Sequence, residues 1–255
     1  MPTGWSDGRR TRRRGRRELA LSAVLAVAAL LAVAALAEPA PGPRTVLLFG
    51  DSLTAGYGVE PEQAFPALIQ ARLDSLAWPV RIVDAGLAGE TTAAGLRRID
   101  WVLRPPVDVF VLALGGNDGL RGLPLDQAEG NLQGILDRVK ARFPAADLVV
   151  AGVRLPPNLG EPYTQAFQAL FPRLAQANGA VLVPRLLEGV GGDRGLMLAD
   201  GIHPNAAGHR RMAETVWAAL EPLLAPPAST GAAQDLQGRS GADAPAAGDA
   251  EGDGQ

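Results

Sequence analysis

The chain has 255 residues, 47% of them hydrophobic, and a formal net charge of −3, enough to bury one sizeable core in one main domain with appendages. It has no cysteine, which excludes structural disulfides, thiol nucleophiles and thiolate metal sites together. Its only two histidines are His203 and His209, so any chemistry that needs an imidazole must use one of them.

Charge divides the chain. Residues 1–37 hold seven Arg against Asp7 and Glu18, net +5, which leaves −8 for residues 38–255 and no basic patch for nucleic acid. The arginines, Arg9 to Arg17, precede an uncharged apolar run from Leu19 to Ala37 that closes on Ala35-Leu36-Ala37. This pattern predicts export, by a signal peptide cleaved after Ala37 or by an uncleaved anchor over 19–37 with the arginines on the cytoplasmic side. Residues 38–43, with Pro39, Pro41 and Pro43, read as a linker. At the far end, residues 226–255 are rich in Ala, Gly, Ser and Asp and offer little apolar surface to offset ordering entropy, which predicts a disordered tail. The folded domain is expected over residues 44–225.

Within it, short β-branched or apolar runs bounded by Pro, Gly or Asp predict strands at 45–49, 80–84, 107–114, 147–153 and 180–183. Helices are expected between and after them, near 62–77, 92–103, 125–142, 162–177 and 205–224. Thr91 or Thr92 is the expected cap of the second, and Asn178-Gly179 the end of the fourth. The alternation predicts an α/β fold with a five-stranded parallel sheet covered by helices on both faces. Open sheets of this kind bind ligands at the carboxyl ends of their strands.

The chemistry-bearing residues fall at that edge. Gly50-Asp51-Ser52-Leu53 follows the first strand, Gly86 to Glu90 the second, Gly115-Gly116-Asn117-Asp118 the third, and Arg154-Leu155-Pro156-Pro157 the fourth. Asp200-Gly201-Ile202-His203-Pro204 precedes the last helix. Acyl transfer by a nucleophile needs a hydroxyl, an imidazole to take its proton, and a carboxylate to fix the imidazole tautomer. Ser52, His203 and Asp200 supply these types, and a spacing of three lets one turn present both His203 and Asp200. Donors for an oxyanion are available from the Ser52 N–H, an N–H in Ala88-Gly89-Glu90 and the Asn117 amide. Each motif also has an ordinary meaning: Asp51 and Ser52 as a helix cap, Gly115 to Asp118 as a turn-forming loop, and His203 as a surface residue ahead of Pro204.

The motifs together resemble those of the SGNH hydrolases, or GDSL esterases, whose Ser, Gly, Asn and His are similar here to Ser52, Gly89, Asn117 and His203, with Asp200 beside the last. The resemblance spans about residues 44–222. The strings Gly115–Gly122 and Val153–Pro156 are similar to the periplasmic bacterial subgroup of acyl-thioesterases, arylesterases and lysophospholipases. It implies a flavodoxin-like three-layer α/β/α sandwich, a shallow open site, no cofactor and a periplasmic location. It further implies Ser52 as nucleophile, His203 as base, Asp200 as orienting carboxylate, and Ser52 N–H, Gly89 N–H and Asn117 as the oxyanion hole.

Leu114, Leu120, Leu123, Leu155, Pro156 and Pro157 lie beside the expected site and are candidates for an apolar acyl groove. That groove would suit medium to long acyl chains, and one shallow site on a small domain suggests a monomer. Alternatives are a carbohydrate O-acetylesterase on the same scaffold, a metal-dependent phosphoesterase using Asp51, Asn117, Asp118, Asp200 and His203, and a binding protein whose serine serves only as a hydrogen-bonding group. Asp51 and Asp118 are expected to accept backbone N–H groups that hold their loops. His209 is expected to be solvated early on the last helix. Trp78, Trp101 and Trp217 are expected to be packing residues.

Overall fold

A computed structural model describes residues 42–226. The expected export segment over 1–37, residues 38–41 of the expected linker and residues 227–255 of the expected tail lie outside the described residues.

Five strands, β1 (Arg44–Gly50), β2 (Val80–Gly86), β3 (Val109–Ala113), β4 (Asp147–Ala151) and β5 (Val181–Val183), form one sheet in the order β2-β1-β3-β4-β5. All four pairings are parallel. This is the flavodoxin-like order, in which the chain leaves β1 for β2 on one side and then crosses to β3 on the other. The carboxyl ends of β1 and β3 therefore open a crevice between their loops.

The apolar runs explain the layers. A parallel strand covered on both faces must be apolar throughout, and alternate residues of β1 serve opposite cores. Val46 and Leu48 pack towards α1 (Phe65–Ser75) and α6 (Ala206–Leu224). Leu47 and Phe49 pack towards α2 (Thr92–Val102), α4 (Leu125–Arg142) and α5 (Glu161–Asn178). On α6 the buried Met212, Val216, Leu220 and Leu224 recur every fourth residue and form the stripe that faces the sheet. The Asn205 side chain caps this helix by accepting from the N–H groups of Ala207 and Gly208. Thr91 caps α2 through Ala94 N–H, and left-handed Gly179 closes α5.

Several expectations are corrected. The first helix begins at Phe65 rather than 62, because Pro61–Gln63 forms a separate 3-10 turn that Ala64, in extended conformation, breaks from the helix. The Gly115–Asp118 loop is largely helical: α3 spans Gly116–Leu120. His209 is not solvated. It is 1% exposed, its ring stacks on Phe65 with centroids 6.4 Å apart, and its Nδ1 accepts the Phe65 N–H at 3.2 Å. Burial pushes its pKa down to about 4. Trp217 and Trp78 do pack, with ring centroids 5.7 Å apart, but Trp101 is 65% exposed at the end of α2.

Candidate active site

The loop after β1 is built around Asp51. Gly50 leaves the strand where a Cβ would meet the Ala113 carbonyl oxygen at 2.6 Å and Thr54 Oγ1 closer still, so β1 and β3 approach each other here only without a side chain. Asp51 Oδ1 then accepts the Leu53 N–H at 3.0 Å. Ala55 N–H bonds Asp51 O and Tyr57 N–H bonds Ser52 O, closing a turn that holds Ser52 at the crevice. Asp51 is 4% exposed, and burial raises its pKa to about 6 against the opposing pull of the Leu53 N–H and of His203.

Opposite lies the loop before α6. Asp200 Oδ1 accepts the N–H groups of Ile202 and His203 at 2.8 and 3.0 Å, and an antiparallel bridge between Met197 and Pro204 closes the base of the loop. Those contacts leave Asp200 Oδ2 2.7 Å from His203 Nδ1, while His203 Nε2 lies 3.0 Å from Ser52 Oγ. The backbone N–H of His203, its ring and the Ile202 N–H hold the Asp200 pKa down at about 2. An ionised carboxylate only accepts, so the Nδ1 facing it carries the proton and Nε2 presents its lone pair to the serine hydroxyl. The arrangement can remove a proton from Ser52 and return it to a leaving group.

Three candidate donors lie in the loops that follow β1, β2 and β3 at this edge of the sheet. Among the described residues neither the Ser52 N–H nor the Gly89 N–H has a hydrogen-bond partner. Gly89 has φ +76°, a left-handed conformation that glycine adopts without strain. Asn117, in the first turn of α3, donates from Nδ2 to Glu90 O at 3.0 Å and lies 3.4 Å from Asp51 Oδ2. Both neighbours are acceptors only, so the amide nitrogen, not the oxygen, faces this corner.

A groove of about 810 Å³ opens beside Ser52, Asn117 and His203. Leu120, Leu155 and Pro156 are among the residues that line it. Leu114 is not: it is 2% exposed within the core against α2, α4 and α5. Leu123 is absent from the wall as well. The wall away from Ser52 is more polar than expected, carrying Thr164, Gln165 and Gln168 of α5 together with Arg185 and Glu188.

The five residues of the metal alternative are not gathered into one ligand set. Asp118 is 3% exposed and turned away, its carboxylate accepting both the N–H and the hydroxyl of Thr92 at 2.8 and 2.7 Å. Among the described residues no group of three or more His, Cys, Asp or Glu has a metal-binding arrangement.

Sequence reasoning passed over two participants. Tyr57 lies against the His203 ring with centroids 4.5 Å apart. Glu90 is the other: its carbonyl holds Asn117 and its carboxylate is buried on Arg98.

Comparison with known proteins gives a consistent result. The family model described as GDSL-like Lipase/Acylhydrolase family matches residues 48–211. The chain is 42% identical to Esterase TesA of Pseudomonas aeruginosa over 182 residues, 71% of this chain and 90% of that protein. It is 38% identical over 181 residues to the thioesterase 1/protease 1/lysophospholipase L1 of Escherichia coli K12, covering 71% and 85% of the two chains. It is 34% identical to an arylesterase of Vibrio mimicus, covering 67% and 85%. The crystal structure of TesA superposes with a TM-score of 0.68 at 41% identity, over 71% of this chain and all of that one. AlinE4, an SGNH-hydrolase family esterase, superposes with a TM-score of 0.60 at 38% identity, over 74% and 100%.

Proposed function

The chain belongs to the GDSL-like lipase/acylhydrolase family, the SGNH hydrolases, and from that membership we propose that it hydrolyses carboxylic esters and thioesters through an acyl-enzyme on Ser52. The observation that carries this reading is the relay from Asp200 through His203 to Ser52, with links of 2.7 and 3.0 Å.

In the proposed cycle His203 Nε2 takes the Ser52 proton as Oγ attacks the carbonyl carbon, and Asp200 stabilises the imidazolium that forms. The oxyanion is received by the Ser52 N–H, the Gly89 N–H and the Nδ2 hydrogen of Asn117 that lies only loosely on Asp51. Collapse expels the alcohol or thiol, which takes the proton from His203. Water then attacks the acyl-enzyme by the same route in reverse, returning Ser52 and releasing the carboxylic acid. Leu120, Leu155 and Pro156 receive the acyl chain in this reading. Aryl esters, acyl thioesters and lysophospholipids are the proposed substrates, by likeness to the esterase, thioesterase/lysophospholipase and arylesterase relatives.

We also propose an exported, periplasmic location, on the strength of the arginine cluster and the apolar run from Leu19 to Ala37, and a monomer, on the strength of a single site on a small α/β domain. Cell fractionation of the full chain, with N-terminal sequencing, tests the location and the cleavage after Ala37. Fluorophosphonate labelling with peptide mapping tests the chemistry. Stoichiometric modification of Ser52 that disappears in His203→Ala is the expected result, with turnover of p-nitrophenyl esters over a range of chain lengths. A folded protein that remains unlabelled and inert would overturn the reading.

A further inference from the structure

Glu90 and Arg98 form a partly buried ion pair beside the site. The Glu90 carboxylate is 1% exposed and the Arg98 side chain 23%. Arg98 Nε and Nη2 each donate to one carboxylate oxygen at 2.5 Å, the two-pronged geometry that fixes both partners in orientation. The same Nη2 donates to the Ala85 carbonyl near the end of β2 at 2.7 Å, and the guanidinium carbon stands 4.3 Å over the Phe49 ring, one residue before Gly50. One side chain of α2 thus ties together the carboxyl ends of β1 and β2 and the loop between β2 and α2.

That loop is also held by the Leu87 N–H on the Gly50 carbonyl at 2.9 Å and by Arg121 Nη2 on the Gly89 carbonyl at 3.2 Å, but of residues 87–90 only Glu90 has a polar side chain with which to anchor it from within. β2 is an edge strand, Leu87 is 51% exposed, and Gly89 is in left-handed conformation with no side chain of its own. Yet the loop sets two of the three proposed oxyanion donors. The Gly89 N–H belongs to it directly, and the Glu90 carbonyl takes one Nδ2 hydrogen of Asn117 at 3.0 Å, which fixes the plane of that amide and the direction of its other hydrogen. Taking a carboxylate out of water is costly, so the pair is weak evidence for stability, whereas its two-pronged geometry fixes where the Glu90 backbone lies.

We propose that Glu90, held by Arg98, is a positioning residue of the oxyanion hole: its anchored side chain fixes the Gly89–Glu90 backbone, and through it both the Gly89 N–H and the Asn117 amide. The proposal rests on the hydrolase reading above. Electrostatic catalysis depends on donors already aimed at the developing charge, so a loosened loop lowers turnover without weakening the binding of the ground-state ester.

The test is steady-state kinetics of the full chain on a short p-nitrophenyl ester, with Glu90→Gln, Arg98→Lys and Asn117→Ala as single variants and Glu90→Gln/Asn117→Ala as the double. Glu90→Gln should lower kcat roughly 10- to 100-fold with KM within about threefold, a fraction of the roughly 10²- to 10³-fold worth of a full oxyanion donor. Arg98→Lys keeps the charge but not the fork, and should lose less of kcat, again at nearly constant KM. In the Asn117→Ala background Glu90→Gln should cost markedly less than in wild type, because one of the donors it aims is already gone. Wild-type kcat in folded Glu90→Gln, or an equal loss in both backgrounds, overturns the proposal. If Glu90→Gln does not fold, Arg98→Lys decides: unchanged kcat with a lowered unfolding temperature would mean a purely structural pair. A wild-type protein that neither turns over the ester nor labels at Ser52 overturns the hydrolase reading itself, and this one with it.

Discussion

The ring of Tyr57 stands against that of His203, with centroids 4.5 Å apart and planes inclined by 44°. Both residues are placed by the nucleophile's own neighbourhood, since the Tyr57 N–H bonds the Ser52 carbonyl while His203 Nε2 meets the Ser52 hydroxyl. An aromatic face this near attracts the imidazolium more than the neutral imidazole, and the imidazolium is what the proposed mechanism forms. Tyr57 is 53% exposed, so the interaction belongs to the weaker, solvated range of about 0.5–1 kcal/mol.

Tyr57→Leu should therefore lower kcat/KM roughly 2- to 5-fold, while Tyr57→Phe leaves it nearly unchanged. Steady-state kinetics of the three proteins on one ester check this. Equal losses in the Leu and Phe variants would assign the effect to the phenol hydroxyl instead of the ring.

Asp200 makes a separate prediction. Its two backbone acceptor bonds and the His203 ring keep it ionised down to about pH 2, so the acid limb above that pH cannot come from Asp200 itself. Asp200→Asn leaves a group of the same shape that can donate to Nδ1 and so permits the wrong tautomer; kcat should fall roughly 10³- to 10⁴-fold. Because the Asp200 pKa is depressed, the stability it contributes is present above about pH 4 and is lost as pH falls through about 2. Kinetics at pH 5 and pH 7 should show the variant's loss at both values. A loss confined to pH 7 would mean that the carboxylate is not the orienting group.

Much of this geometry was legible in the sequence. The continuous apolar run of β1 had to be a strand covered on both faces, and Gly50-Asp51-Ser52 after it had to turn at the sheet's carboxyl edge. The spacing of Asp200 and His203 was equally informative, because one tight turn brings both to the same side. His209 lies between Gly208 and Arg210, which suggest a solvated face, yet it stands three and four residues before Met212 and Ala213, on the buried stripe of α6. α3 is five residues long and begins on glycine, too short for any periodicity to register. Tyr57 and Glu90 left no local signal: the first meets its partner 146 residues away, and the second pairs across a loop-to-helix junction whose geometry only the fold supplies.

Asp51 predicts a pH dependence of opposite sign to that of Asp200. With its pKa raised to about 6, the folded protein holds a proton between pH 4 and 6 that the unfolded chain has released. Stability therefore falls as pH rises through that window, by roughly 3 kcal/mol at most. Asp51→Asn keeps an acceptor for the Leu53 N–H but has nothing to ionise. Urea unfolding of both proteins at pH 4.5 and pH 7 should show the variant gaining on wild type at the higher pH. Parallel behaviour at the two pH values would show that Asp51 ionises in the fold as readily as in the unfolded chain.

His209 works in the other direction. Its Nδ1 is the acceptor for the buried Phe65 N–H at the start of α1, and burial holds the ring neutral, with a pKa near 4. The unfolded chain takes up a proton below about pH 6.5 that the folded ring refuses, so wild-type stability falls as pH drops from about 6.5 towards 4. His209→Leu fills much of the same space but orphans the Phe65 N–H, which costs roughly 1–3 kcal/mol at pH 7. The Leu variant has no imidazole to protonate, so its deficit should narrow as pH falls from 7 to 5. Since Phe65 opens the helix that packs with α6 over β1, the loss should appear in global unfolding and leave the KM for a short ester untouched. A pH-independent deficit would mean that His209 takes up its proton within the fold and that the cavity around its ring admits the charge.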